Sequence, residues 1–357
     1  MRKVRAWVMV ALVLVGCSRQ TTTTSAPVTL LTSTSAPPVT LRLLTHDSFL
    51  ISESVQAALE QATGVDLQVL KGGDAGLMVT QALLTKDNPI ADVVYGIDNT
   101  MLTRALEAGL FEPYTPPGLT DVPDALELDP EHRVTPIDFG DVCLNYHKAA
   151  FKDSGLSVPD SLEALTLPEY KDLLVVEDPA TSSPGMAFLL ATVAHFGEDQ
   201  WEGYWRKLRA NGVEVATDWT TAYYGSFSGA SDGDRPLVVS YASSPPAQVH
   251  FATEALAEAP TGVITDGCFR QIEFAGIVAE TPEREAAERL LDFMLSLEFQ
   301  EDIPLQMFVF PANARAKLPE VFTAHTVIPE RPLIIDPALI EANRAFWLQR
   351  WNQAVLG

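Results

Sequence analysis

The stretch 91-ADVVYGIDN-99 decides the fold, because a short, continuous apolar run there ends in a polar loop. Apolar runs without alternation are typical of strands buried at the centre of a parallel sheet. Upstream, strand patterns at 39–44 and 65–70 alternate with helical spacing at 53–63 and 77–86, and another helix follows the stretch. We therefore predict βαβαβα, a doubly wound α/β sheet.

A second α/β alternation follows a Pro-rich, irregular segment at 111–136. Long apolar runs at 137–146 and 268–277 flank this second half. Two extended crossovers between two α/β lobes are what a hinged clamshell requires. The expected division is lobe 1 at 40–137 plus 277–357, lobe 2 at 138–276, and hinge crossovers near 138–147 and 268–277.

Polar loops follow the predicted strands in both halves. Ligands bind at the carboxyl ends of strands in open parallel sheets, so these loops are expected to enclose one site. The second lobe contributes the stretch 219–245, in which aromatic residues begin a helix and hydroxyl residues end a strand. The loops lie at 45–48, 71–76, 96–99, 177–185, 217–219 and 240–245.

Length and charge limit the function classes. A chain of 357 residues exceeds what one hydrophobic core usually supports, which favours two lobes. The 47 acidic and 24 basic residues give a net charge of −23, which repels nucleic acid and anionic lipid and mildly favours cationic ligands. We expect no nucleic-acid partner.

The N-terminus has the pattern of a secretory signal. Basic residues precede an apolar run at 6–15, which is too short to span a bilayer. Leu-Val-Gly directly before Cys17 is similar to the bacterial lipoprotein box. We predict a signal peptide at 1–16, lipidation of Cys17, and a flexible Ser/Thr/Pro-rich tether at 17–39. This places the folded part outside the cytoplasmic membrane on a lipid anchor; the alternative is an ordinary signal with an incidental Cys.

Two further cysteines, Cys143 and Cys268, lie on the predicted crossover strands. They could form one disulfide in an oxidising compartment, or remain two isolated buried thiols. Neither has a spacing that favours metal binding or redox chemistry. We expect no metal site and no cofactor.

Several motifs in unbroken order carry a resemblance that covers about 41–356. The chain resembles the thiamine-binding branch of the substrate-binding proteins of bacterial ABC importers. The resemblance implies a two-lobed type II periplasmic-binding-protein fold, a small-molecule ligand such as thiamine or its phosphates, a permease with its ATPase as partners, and a monomer. The most specific motifs are ADVVYGIDN (91–99), EDPATSSPG (177–185) and VVSYASSP (238–245), joined by THDSF (45–49) and GGDAG (72–76).

Residues carried over from the resemblance suit an aromatic cation. Trp219 and Tyr241 would stack on it, which adds cation–π attraction. Asp74 would balance its charge, although helix capping alone also explains an Asp there. Serines near helix N-termini would hold its hydroxyethyl or phosphate tail. The predicted ligand-binding residues are Asp47, Ser48, Asp74, Asp98, Ser183, Gly185, Trp219, Tyr223, Tyr241 and Ser244, with no catalytic residue.

The chain departs from the family at three places. His46 and Ala247 stand where the family carries tyrosines, and 50–56 lacks a tryptophan. The ligand could therefore be a relative of thiamine or another small molecule. Ferric ion is one alternative, because Tyr223 and Tyr224 are adjacent. A thiamine-processing enzyme is another, but it would need a nucleophilic Cys in the cleft, away from the crossover strands.

Overall fold

We analysed a computed structural model, which describes residues 39–357. The predicted signal peptide, Cys17 and the tether up to residue 38 lie outside the described residues. Within the described part of the chain, no helix is both long enough and apolar enough to cross a membrane.

The strands form one mixed sheet in the order β2-β1-β3-β9-β5-β8-β6-β7. Each half has three parallel strands, as predicted for doubly wound lobes, and antiparallel β9 and β5 join the halves. Short β4 and β10 pair with β9 and β5. The strands are β1 Val39–Thr45, β2 Val65–Lys71, β3 Val93–Asp98, β4 Phe111–Glu112, β5 Thr135–His147, β6 Leu174–Glu177, β7 Glu214–Ala216, β8 Leu237–Tyr241, β9 Thr261–Val278 and β10 Phe310–Pro311.

Helices cover the sheet, and their ends follow local chemistry. Ser52 caps α1 by accepting from the Val55 N–H, and Gly64 ends it at φ 68°, which gives the helix the predicted bounds of 53–63. The α-helices are α1 Glu53–Thr63, α2 Ala75–Leu84, α3 Leu102–Glu107, α4 Lys148–Ser154, α5 Ser183–Phe196, α6 Trp201–Ala210, α7 Trp219–Thr221, α8 Pro245–His250, α9 Arg284–Met294, α10 Leu297–Gln300, α11 Ile303–Gln306, α12 Glu320–His325 and α13 Pro337–Val355. A π-helical turn, Ala222–Ser226, follows α7.

Two main hydrophobic cores lie on the two sides of the β5–β9 crossing. The first packs β1, β2 and β3 against α1, α2 and α9. The second packs β6 and β8 against α5 and α6. Since β5 and β9 contribute apolar residues to both cores, the two lobes share these strands.

The terminal helix α13 corrects the expectation that all of 277–357 belongs to lobe 1. Ile340, Trp347 and Trp351 are buried in the second core. Trp351 packs edge-on against Trp205 of α6, with ring centroids 5.6 Å apart. The other side of α13 reaches lobe 1, where Arg344 donates to the Thr100 carbonyl at 3.2 Å. The helix therefore bridges both lobes but packs mainly on lobe 2, because its large aromatic side chains are buried beside α6.

Cys143 and Cys268 form a disulfide, which resolves the alternative that the sequence left open. Cys143 lies on β5 and Cys268 on β9, so the bond joins the two crossing strands. It closes a segment with a sequence separation of 125 residues. Neither sulfur is a free thiol, and neither lines the cavity described below.

Candidate functional site

A cavity of about 240 Å³ lies at the carboxyl ends of the parallel strands, where both lobes contribute its walls. Clefts of this kind, mostly apolar with a few convergent polar groups, are the usual form of small-molecule sites. Its lining is His46, Asp47, Ser48, Leu50, Asp74, Ala75, Ser183, Pro184, Asp218, Trp219, Thr220, Tyr223, Tyr224, Tyr241, Ser244, Ala247, Phe251, Glu273, Gln306, Met307, Phe308 and Val309.

Most of the predicted site residues meet in this cavity, and two do not. Asp98 and Gly185 lie outside its lining. The predicted residues that do line it are Asp47, Ser48, Asp74, Ser183, Trp219, Tyr223, Tyr241 and Ser244. The sequence therefore placed these eight on a common surface, and their contact with a ligand remains a proposal.

Asp98 is buried in the sheet because β3 does not end at Gly96. Gly96 has φ 97° at a register shift against β9, and the strand continues through it to Asp98. The Asp98 carboxylate accepts from the Thr100 N–H at 2.9 Å and from Gln271 Nε2 at 2.5 Å. Burial raises the pKa of Asp98 to about 6. Asp98 thus supports the sheet below the cavity and does not face it.

Gly185 lies in the first turn of α5 and has a packing role. A Cβ at this position would come within 2.7 Å of the Glu177 carbonyl oxygen at the end of β6. The glycine therefore lets α5 approach β6 closely, and this approach places the neighbouring Ser183 at the cavity wall.

An aromatic wall forms one side of the cavity. The Trp219 and Tyr223 rings stack with centroids 5.0 Å apart and an interplanar angle of 17°. Trp219 Nε1 donates to Ser240 Oγ at 3.0 Å, and Ser240 Oγ lies 2.8 Å from Ser244 Oγ. These contacts fix the indole plane, which leaves a flat surface suited to stacking. Burial raises the pKa of Tyr223.

Asp74 connects the lobes. It caps α2 by accepting from the Ala75 N–H at 2.7 Å, as expected for an Asp in this position. It also accepts from the backbone N–H groups of Ser183 and Trp219, each at 3.1 Å, at the N-termini of α5 and α7 in lobe 2. Burial raises the pKa of Asp74, while the Trp219 and Ser183 N–H groups act in the opposite direction. All three bonds go to backbone, so Asp74 holds the lobes together at the cavity edge.

Several cavity residues were missed by the sequence analysis. Glu273 lies in the second half of β9, and Phe251 and Phe308 line the cavity with ring centroids 5.5 Å apart. A charged residue within the apolar run 268–277 is the one local signal for Glu273. Phe308 has φ 55°. A bulky residue rarely adopts this conformation, and where it does, it often lies at a binding site.

The positions that depart from the family motif, His46 and Ala247, both line the cavity. His46 Nε2 lies 3.5 Å from Glu273 Oε2. Among three other aromatic residues of the chain that could stack on a ligand, Tyr224 lines the cavity, whereas Phe49 and Phe269 are core residues.

One cluster of possible metal ligands lies away from the cavity. Within residues 39–357, one group of His and carboxylate side chains brings its ligand atoms within 4.8 Å of one another: Glu163, His195 and Asp266. This group is largely exposed on lobe 2, and none of its members lines the cavity. Exposed groups of this kind are common without an ion.

Residues 88–328 match the family model described as bacterial extracellular solute-binding protein. The chain belongs to this family. Its members bind solutes outside the cytoplasmic membrane, so this solute-binding protein is not an enzyme.

Relatives with known names match nearly the whole solute-binding chain. It is 30% identical to the thiamine-binding periplasmic protein of Escherichia coli (strain K12) over 90% of this chain and 94% of that protein. It is 29% identical to the thiamine-binding periplasmic protein of Brucella suis over 88% and 92%. The solved structure of a periplasmic thiamin binding protein matches with a TM-score of 0.78 and 28% identity, over 88% and 96% of the chains. These matches confirm the resemblance and the type II fold.

Iron-bound HitA from Pseudomonas aeruginosa has the same fold, with a TM-score of 0.71 and 21% identity over 88% of this chain and 99% of that one. At that level of identity, the likeness concerns the fold alone.

Proposed function

We propose that this solute-binding protein captures thiamine, or a closely similar aromatic cation, between its lobes and delivers it to an ABC permease. The observation that carries the proposal is the charge of the cavity. Its lining contains four carboxylates and, among the residues described, no lysine or arginine. The carboxylates are Asp47, Asp74, Asp218 and Glu273.

Thiamine combines the two properties that this cavity selects. Its thiazolium ring is a flat cation, which the stacked Trp219–Tyr223 wall would attract by roughly 0.5–2 kcal/mol per ring. The hydroxyls of Ser183 and Ser244 would bind its polar tail. The thiamine-binding names of the relatives support this choice.

Calorimetry with thiamine, its phosphates and its pyrimidine moiety tests the proposal. We expect binding by the wild-type protein, and a loss of affinity of about 10-fold in Trp219→Ala, because the cation–π wall is removed. Phe346→Ala is the matched control, since Phe346 is an exposed aromatic on α13. Absence of any response at near-millimolar ligand would exclude thiamine.

Ferric ion is the second candidate because Tyr223 and Tyr224 are neighbours with ring centroids 5.1 Å apart. The Tyr223 side chain, however, is buried, and its hydroxyl already accepts a hydrogen bond from Gln248 Nε2 at 3.3 Å. Both features disfavour Tyr223 as an iron ligand. An iron–tyrosinate pair absorbs visible light, so a charge-transfer band in iron-loaded protein would favour iron over thiamine.

The anchor and the assembly state complete the proposal. Acylation of Cys17 together with removal of 1–16 would tether a monomeric receptor to the outer side of the cell membrane, close to its permease and ATPase. Cys17→Ser should release the mature protein from the membrane fraction. A Cys17→Ser protein that remains in that fraction would contradict the lipid anchor.

A further inference from the structure

The cavity lining contains one carboxylate, Glu273, that lies on the central strand β9, which we call the floor of the cavity. The stacking proposed for the aromatic wall gives this carboxylate no role. Glu273 lies on β9, directly opposite Asp138 of β5 in the strand ladder. It is 8% exposed and lines the cavity, whereas Asp138 is fully buried behind it. The two carboxyl groups therefore face each other across the central strand pair, with only Glu273 accessible to a ligand.

The groups around this pair already engage Asp138 and leave Glu273 facing the cavity. The Tyr95 hydroxyl donates to Asp138 Oδ2, and burial and the adjacent Glu273 raise the pKa of Asp138 well above its ordinary value. Asp138 therefore holds its proton more tightly than an exposed carboxyl group does, and it is withdrawn from the cavity behind Glu273. On the other side, the Tyr241 hydroxyl donates to Gln271, whose amide donates to Asp98, so these groups are already paired.

His46 adds a second polar atom beside Glu273. Its Nε2 is buried and has no hydrogen-bond partner within the described part of the chain. The 3.5 Å between His46 Nε2 and Glu273 Oε2 places two polar groups side by side at the cavity floor. An unsatisfied buried nitrogen is costly, which favours a ligand that supplies its partner.

We propose that Glu273 and His46 form a subsite for an amino-substituted nitrogen heterocycle. The Glu273 carboxylate accepts a hydrogen bond from the exocyclic amino group, and His46 Nε2 bonds the adjacent ring nitrogen. Such a ring presents a donor beside an acceptor in one plane, and this pair complements a carboxylate beside an imidazole. The inference rests on the proposed function and extends it by fixing the direction of the ligand: the aminopyrimidine points to the floor and the cationic ring to the Trp219 wall.

The test compares thiamine with oxythiamine, in which oxygen replaces the amino group of the pyrimidine. Dissociation constants for both ligands are measured by calorimetry in the wild type, in Glu273→Gln and in Glu273→Asp. Glu285→Gln is the control, because it makes the same change at an exposed position of α9.

We expect the wild type and Glu285→Gln to prefer thiamine by about 10- to 100-fold, since a hydrogen bond to a charged group is lost with oxythiamine. Glu273→Gln should reduce this ratio to near one, and Glu273→Asp should reduce it in part, because its carboxylate is withdrawn by one methylene. Two Glu273 variants are used so that the subsite can still be tested if one of them fails to fold.

An unchanged thiamine-to-oxythiamine ratio in either folded variant would overturn the subsite, while the thiamine proposal would stand. If the wild type binds neither ligand, the proposed function fails and the subsite fails with it. The two failures are therefore distinguishable within one set of titrations.

Discussion

At the scale of single residues, each carboxyl group near the cavity has a different environment. Asp74 is bound by three backbone N–H groups, and Asp98 is held by Thr100 and Gln271. Glu177 is fully buried, and its burial, together with the charge of Asp74, raises its pKa well above the ordinary value. Burial of a carboxyl group reduces stability, and the raised pKa shows that Glu177 holds its proton more tightly than an exposed carboxyl group does.

The pH dependence of stability should reveal the burial of Asp98. Burial raises its pKa in the folded state to about 6, from an ordinary value of 3.8. The folded state therefore binds the proton more tightly, so this stabilising contribution is complete below the unfolded pKa and is lost as pH rises through about 6. Between pH 4 and 7, the wild type should lose about 2 kcal/mol of unfolding free energy relative to Asp98→Asn.

Denaturant titrations of both proteins at several pH values measure this difference. Any change in hydrogen bonding caused by asparagine shifts the plot of unfolding free energy against pH as a whole and does not change its slope. Glu285→Gln should follow the wild-type slope. Parallel curves for the wild type and Asp98→Asn would show that Asp98 does not titrate as inferred.

At the scale of elements, the N-termini of α5 and α7 meet the N-cap of α2 through Asp74. Exposed N–H groups at helix N-termini usually attract anions, and here a side chain from the opposite lobe takes that place. The contact is therefore made only when the lobes lie close together. We infer that Asp74 stabilises the closed arrangement of the lobes more than it binds the ligand.

Asp74→Asn separates capping from closure. Asparagine is also a good N-cap, so α2 should remain intact. The amide oxygen can still accept from the Ala75 and Ser183 N–H groups, as Asp74 Oδ1 does, whereas the NH₂ group takes the place of Oδ2 and cannot accept from the Trp219 N–H. We expect ligand affinity to fall by about 10-fold and small-angle scattering to report a more open molecule.

Ser52→Ala is the matched control for this variant. It removes the cap of α1, which lies within lobe 1, and should cost about 1 kcal/mol of stability without changing affinity. Equal affinities for Asp74→Asn and Ser52→Ala would contradict the closure role of Asp74.

The terminal helix α13 should stabilise lobe 2 through its buried face. Trp351 is 0% exposed and packs on Trp205, so Trp351→Ala should cost about 3–5 kcal/mol of unfolding free energy. Phe346→Ala on the same helix should cost well under 1 kcal/mol, because Phe346 is 52% exposed. Denaturant unfolding measures both, and equal losses would contradict the assigned packing.

The elements show why the sequence predicted some features and missed others. Helix α1 was predicted with its bounds because Ser52 and Gly64 act locally. β3 was ended too early because Gly96 looked like a strand end and is a bulge inside the strand. The position of α13 and the cavity role of Glu273 depend on contacts with distant parts of the chain, which local periodicity does not contain.

At the scale of the whole molecule, β5 and β9 are the connection between lobes that also carries the disulfide. A bond that closes so long a segment restricts the unfolded chain strongly. The double variant Cys143→Ala/Cys268→Ala should therefore lose about 2–5 kcal/mol of unfolding free energy under non-reducing conditions.

A reductant strong enough to reach the buried disulfide during unfolding should bring the wild type close to the double variant. The variant itself should be insensitive to reductant, which makes it the internal control. A wild-type denaturation midpoint that does not change with reductant, when thiol titration shows the bond to be reduced, would contradict this contribution.

The paired crossing strands also decide how the lobes can move. The β5–β9 ladder runs from Thr135–Ala275 at one end to His147–Thr261 at the other, and the disulfide fastens its two strands. One strand cannot slide along the other, so opening of the lobes should bend or twist the two strands together. Rotation of the lobes about this strand pair would then change the separation between Asp74 and the N–H groups of Ser183 and Trp219. A ligand too thick for the cavity would stop that rotation early, and the receptor would in this way measure the thickness of what it binds.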